Sequence, residues 1–181
     1  MTEFPVVPIG IDLGGRKVAM VGPTFQRHWL APTTVRHSEL AWIRNQVLSF
    51  LTAYESSHLV KVHLFIEEPL VAGVRNLRTS LMLAQTAGAV LSMGLDSTLV
   101  PVSSWKKKVL GNGSAKKEDV ARWFKLAYPD SELHGNQDVC DAAAIFHYGV
   151  AVLEVAKQLR SGSDARRSRP ETISEHGSPL A

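Results

Sequence analysis

Apolar residues recur along the first half of the chain at two different spacings, and each spacing predicts a different element. "VVPIGIDLGG" is a short β-branched run that stops at Gly-Gly, the pattern of a buried strand meeting a turn. "RKVAMVGP" predicts a second strand, giving a hairpin around Gly14-Gly15, and "FQRHWLA" a weaker third. From Ser38 to about Tyr54 the spacing lengthens. Leu40, Ile43, Val47, Leu48 and Leu51 recur at the period of a helix, with Ser38 as its cap. "VKVHLFIEE", closed by Pro69, predicts the next strand, and "NLRTSLMLAQTAGAVLSMG" a second helix ending at Gly94. "STLVPVS" predicts a fifth strand, and further helical segments start near Ser114 and near Gln137. Three strands, helix, strand, helix, strand and then helices is the order of an α/β sandwich with a mixed five-stranded central sheet flanked by helices.

Composition alters this picture at one place. After about Leu159 the chain reads "RSGSDARRSRPETISEHGSPLA", poor in apolar residues, so 1–159 is expected to fold as one domain and 160–181 to form a disordered tail. With 45% hydrophobic residues in 181, the core can be substantial. No run of 18 uncharged apolar residues predicts a membrane span, and "MTEFPVVPIG" lacks the basic-then-apolar pattern of a secretory signal. A lone cysteine, Cys140, has no partner for an internal disulfide and fits a reducing, cytoplasmic setting. The net charge of +3 is too small to argue for a nucleic-acid partner by itself.

The placement of acidic residues says more. Asp12 sits inside the first strand between Ile11 and Leu13, where an ionised side chain is costly unless paired or bound to metal. Glu67 ends another apolar strand. Asp138 and Asp141 open an alanine-rich helix three positions apart, so two like charges share one face. Each has a plainer explanation: Asp12 can organise the turn, Asp138 can answer the helix dipole, and one of Glu67 and Glu68 is simply solvated because they point to opposite faces. Asp141, set among Val139, Cys140 and alanines, is the hardest to explain without a cation. Oxygen ligands alone favour Mg²⁺ or Mn²⁺ over zinc, and neither the histidines nor the single cysteine show zinc spacing.

Four blocks in order, "IGIDLGGRKVAMVG", "LFIEEPL", "SSWKKKVLGNGSAKKEDV" and "QDVCDAAAIFHYG", make the chain resemble the RuvC family of Holliday-junction resolvases, within the ribonuclease H-like fold. The resemblance spans roughly Pro8 to Leu153. It implies that Asp12, Glu67, Asp138 and Asp141 are the catalytic, metal-holding carboxylates. It implies two Mg²⁺ ions per site, with Mn²⁺ able to substitute, and phosphodiester hydrolysis leaving a 5′ phosphate and a 3′ hydroxyl. The same resemblance gives the lysines a role. Lys106, Lys107, Lys108, Lys116 and Lys117 flank the glycine-containing "VLGNGSA" and would contact DNA phosphates; Lys106 and Lys117 match lysines that matter for activity, and Lys117 would also stabilise the transition state. Without the resemblance, these runs read as solvated faces. The implied partners are branched DNA, a four-way junction, and a second copy of the chain. The dimer would form through Asn76–Met93 with Leu77, Leu81, Leu83, Ala84, Ala87 and Val90 as contacts, although packing on the sheet accounts for some of these equally well. No membrane partner is expected, and a helicase partner is not identified.

The chain departs from the family at Leu70, where the cellular enzyme carries a phenylalanine that helps open the junction centre. Leucine can wedge between bases but cannot stack on them. Arg75 and Arg78 either contact DNA backbone or flank the helix start. Trp42 and Trp123 are expected in the core and Trp105, beside the lysines, at the DNA. The opening and the tail suggest a phage or mobile-element member, acting in a bacterial or phage-infected host cytoplasm. Two rivals remain: a broader nuclease for flaps, forks and three-way junctions, and a non-catalytic junction-binding protein, which would have no use for buried carboxylates. A sugar kinase or Hsp70-like ATPase, suggested by "GIDLGG", needs a duplicated domain that one domain of ~150 ordered residues cannot provide.

Overall fold

Strand alternation, combined with which residues are apolar, decides which side chains face which helices. In β1 (Val6–Leu13), Ile9, Ile11 and Leu13 point to one side and Gly10 and Asp12 to the other. In β2 (Lys17–Gly22), Val18 and Met20 share the first side, Ala19 and Val21 the second. A computed structural model of the chain describes residues 4–32, 36–69 and 77–167, except for the side chains of 36–38 and 161–167. With β3 (Phe25–Leu30), β4 (Lys61–Glu67) and β5 (Ser97–Val100) the strands form one sheet in the order β3-β2-β1-β4-β5. The β1–β2–β3 part is antiparallel, while β1–β4 and β4–β5 are parallel. The sheet is therefore mixed, with β1 at its centre.

One face is covered by α1 (Arg36–His58) and α2 (Leu77–Leu91). Ile43, Val47 and Leu51 of α1 and Ala87 and Val90 of α2 pack with Ile9, Ile11, Met20, Leu64 and Ile66. The other face is covered by α3 (Val102–Leu110), α4 (Lys117–Ala127) and α5 (Gln137–Arg167), whose Trp105, Phe124, Val139 and Ile145 pack with Ala19, Val21 and Phe65. Over Gln137–Arg160, α5 is long and apolar enough by composition to cross a membrane. Its fully buried residues, Val139, Cys140 and 142–145, are the ones in the cluster on the sheet, while Val152, Val155 and Leu159 further along are exposed.

Several expected boundaries move. Helix α1 already starts at Arg36, so Ser38 lies inside it rather than capping it. Strand β5 stops at Val100, and the "VS" assigned to it opens α3, a helix the sequence reading lacked. Pro101 sets the start of α3, and Gly111, at a φ of 75°, ends it by donating its N–H to the Lys107 carbonyl at 3.1 Å. Helix α4 is capped at Lys116, whose backbone N–H donates to Asp119 Oδ2 at 3.0 Å; Ser114 is not the cap. Helix α5 continues through Arg167, past the compositional break at Leu159.

The contact that brings α5 onto the sheet is made at glycine. A Cβ at Gly10 would fall on the Ala142 carbonyl and the Phe146 backbone, whereas one at Gly149 would meet only the Phe65 ring. Backbone cannot yield as a side chain can. We therefore expect Gly10→Ala to cost about 1–3 kcal/mol, the usual range for overpacking, and Gly149→Ala to cost less. Urea unfolding midpoints check this; equal costs would place the close approach elsewhere.

Candidate active site

Asp12 and Glu67 arrive at one place by register. The β1–β4 ladder pairs Gly10 with Phe65 and Ile11 with Ile66, so the next step places Asp12 beside Glu67 at the carboxyl ends of two adjacent parallel strands. Both point to the α5 side by alternation from Gly10 and Phe65. Crevices at the carboxyl ends of parallel strands are where open α/β sheets hold ligands. Helix α5 begins over this end of β1, and Asp138 and Asp141 lie in its first two turns.

The four carboxylates feel one another. Burial holds the Asp12 carboxyl well above the usual carboxylate range, and the negative charges of Glu67, Asp141 and Asp138 raise it further. Glu67 is pushed up to about 7, first by burial and then by Asp141. Asp141 is raised by burial, opposed chiefly by Gln137, whose Nε2 donates to its Oδ1 at 2.9 Å. Such a cluster cannot carry its full negative charge without compensation. Among the described residues, no three such side chains stand close enough to share one ion. A hard divalent cation takes one or two protein carboxylates and completes its shell with water and phosphate oxygens. The donor set thus fits Mg²⁺ or Mn²⁺ shared across the cluster and does not fit a closed structural cage.

Glu67, Asp138 and Asp141 are each held by a neighbour. Trp105 Nε1 donates to Glu67 Oε2 at 3.1 Å from a ring only 1% exposed. Trp105 is therefore a buried support for Glu67 and not a DNA contact, which corrects the expectation drawn from the lysines beside it. The reason is geometric: α3 turns its Trp105 face inward and Lys107 and Lys108 outward. Asp138 Oδ2 lies 3.1 Å from Lys17 Nζ and 3.2 Å from His28 Nε2. These residues lie on the same side of the sheet, since Asp12 pairs with Ala19 and Ala19 with His28. Gln137, Lys17 and His28 were not singled out from the sequence. Cross-strand register alone places the last two, so no local pattern in the chain signals them.

The predicted lysines divide into two groups. Lys106 donates Nζ to the Ala115 carbonyl at 2.8 Å and lies 5.5 Å over the Trp105 ring; its charge, with that of Lys117, lowers Glu67 and Asp141. Lys107, Lys108 and Lys116 are exposed and are not among the charges that act on Glu67 and Asp141. Arg78 is exposed in the first turn of α2, and Leu70 and Arg75 lie outside the described residues.

No protein-family model matches the chain. Curated relatives do. The crossover junction endodeoxyribonuclease RuvC of Rickettsia massiliae is 30% identical over 154 residues, covering 77% of this chain and 94% of the relative. That of Rickettsia akari is 32% identical over 113 residues, covering 60% and 68%. Among solved structures, Thermus thermophilus RuvC in complex with a Holliday junction substrate superposes with a TM-score of 0.60, covering 82% of this chain and 96% of that one at 20% identity. That likeness establishes the ribonuclease H-like fold. The identity along nearly the whole length of the Rickettsia massiliae protein establishes more: the chain belongs to the RuvC family.

Proposed function

We propose that the chain is a metal-dependent endonuclease that resolves four-way DNA junctions by paired nicking, leaving 5′ phosphates and 3′ hydroxyls. The observation that carries this reading is the convergence of Asp12, Glu67, Asp138 and Asp141 from β1, β4 and α5 in a chain of the RuvC family. In it these four residues hold the divalent cation, Mg²⁺ with Mn²⁺ as a substitute, as a pair of ions. A bound pair supplies Lewis-acid stabilisation of the phosphate and lowers the pKa of water. The chain's own side chains do the positioning. Trp105 and Gln137 fix the rotamers of Glu67 and Asp141 through their N–H groups. Lys106 and Lys117 place positive charge beside the carboxylates, where the phosphate's charge would build. Lys107, Lys108, Lys116 and Arg78 bind flanking phosphates, a contribution that weakens with salt. Leu70 in place of an aromatic favours, as a second reading, a wider range of branched substrates.

The enzyme acts in this reading as a homodimer. Leu77, Leu81, Ala84, Gly88 and Leu91 of α2 are all exposed and follow one another at spacings of four and three, the seam of a helix that packs on another helix. Leu77 and Leu81 are 51% and 54% exposed, while Ala87 and Val90, also expected among the dimer contacts, are buried in the core.

Three outcomes follow. Asp141→Asn abolishes Mg²⁺-dependent nicking of a strand-labelled immobile junction while binding in gel shift is retained; cleavage at the wild-type rate contradicts the site, and equal nicking of flaps and three-way junctions favours the broader reading. Leu81→Glu leaves the circular dichroism spectrum intact and yields a monomer in sedimentation; an unchanged mass moves the interface off α2. The third concerns pH. The folded-state pKa of Asp12 lies above its unfolded one, so its contribution to stability is fully present below about pH 4 and is lost as pH rises through the folded value. Without metal, Asp12→Asn is therefore the more stable protein at alkaline pH, and its advantage in Tm shrinks as pH falls. Partial desolvation holds His63 and His147 below their usual value, and they act in the opposite sense, but equally in both proteins. An advantage that grows toward acid contradicts the burial of Asp12.

A further inference from the structure

The cluster contains a positive side chain that the catalytic reading does not use. Lys17 opens β2 immediately after the turn, where Gly14 and Lys17 exchange backbone hydrogen bonds at 3.1 and 3.4 Å. That closure fixes the stem of Lys17 on the α5 side of the sheet. Its Nζ meets Asp138 Oδ2 at 3.1 Å, and its charge also lowers the Asp12 carboxyl. The side chain is 49% exposed, against 25% for Asp138 and for His28, so Lys17 has solvent to swing into and His28, on β3, does not share that freedom.

Resting on the metal site proposed above, we infer that Lys17 is an internal stand-in for a cation. Its ammonium occupies the place beside Asp138 and Asp12 that a divalent ion takes, and metal loads by displacing it. Two features of the structure call for such a group. Four carboxylates at one sheet end repel when no counter-charge is near, and Lys17 is the cation that reaches Asp138 directly from a neighbouring strand. Its attachment is also the kind that yields, because a half-exposed ion pair with a flexible stem gains little over solvation. A divalent ion brings twice the charge to the same oxygens and wins the exchange. His28 is a positioning residue here: it holds the same Oδ2 from the β3 side, so Asp138 keeps its place when Lys17 leaves.

The test is Mn²⁺ binding to the DNA-free protein, followed by electron paramagnetic resonance, which does not depend on cleavage. Lys17→Met removes the competitor and tightens Mn²⁺ binding roughly two- to fivefold, the range set by one exposed ion pair. Lys17→Arg restores the wild-type affinity. In an Asp138→Asn background the effect of Lys17→Met shrinks, because the oxygen under competition has gone. An unchanged or weaker affinity in Lys17→Met overturns the inference, and so does an equal gain in both backgrounds, which marks a long-range field. Wild-type protein that binds no Mn²⁺ at millimolar concentration overturns the metal site as well, so the two failures are told apart.

Discussion

The constraint on which the rest of this structure depends is the mutual repulsion of carboxylates held at one end of a buried sheet. Asp12 lies between Ile11 and Leu13 in the central strand, largely withdrawn from water, and the charges that act on it include three more acids. A protein selected for stability alone would replace them with apolar residues of similar volume. Keeping them raises the proton affinity of Asp12, Asp141 and Glu67, the last to about 7, and leaves the metal-free site in want of positive charge. The surrounding cations and N–H donors answer that need. Lys17 and His28 meet Asp138, Trp105 meets Glu67, Gln137 meets Asp141, and Lys106 and Lys117 lie within range of the last two acids.

Bringing the acids together is a matter of backbone approach. Helix α5 crosses β1 so closely that only glycine fits at position 10, and this places the first turns of α5 over the carboxyl ends of β1 and β4. The opposite face of the sheet has no such demand. There α1 packs through Ile43, Val47 and Leu51 and α2 through Ala87 and Val90, which leaves one stripe of α2 exposed. The two faces thus divide the work: one is built around close approach and charge, the other around apolar volume.

Most strands were legible because their apolar positions alternate or run unbroken, as in β1, β2 and β4. The acids were legible as charges where charge is expensive, and their common role came from a resemblance between whole blocks, not from spacing. What the sequence hid has physical causes. Helix α3 shows its packing face at Val102, Trp105, Val109 and Leu110, and three consecutive lysines mask that period. Trp105 reads as a surface residue in a basic run until α3 is known to turn it inward. Lys17 and His28 reach Asp138 across more than a hundred residues, through cross-strand register and the docking of α5, and no local pattern encodes such contacts. The cap of α4 fell at Lys116 rather than Ser114 because Asp119 reaches back to it.

The central claim is that these acids are tolerated together because divalent ions neutralise them. A crystal soaked in manganese and measured for anomalous scattering tests it most directly. The account predicts anomalous density among the carboxylate oxygens of Asp12, Glu67, Asp138 and Asp141, with the Lys17 ammonium moved away from Asp138. An ordered, fully soaked crystal with no peak there, or with its peaks elsewhere on the protein, would contradict it.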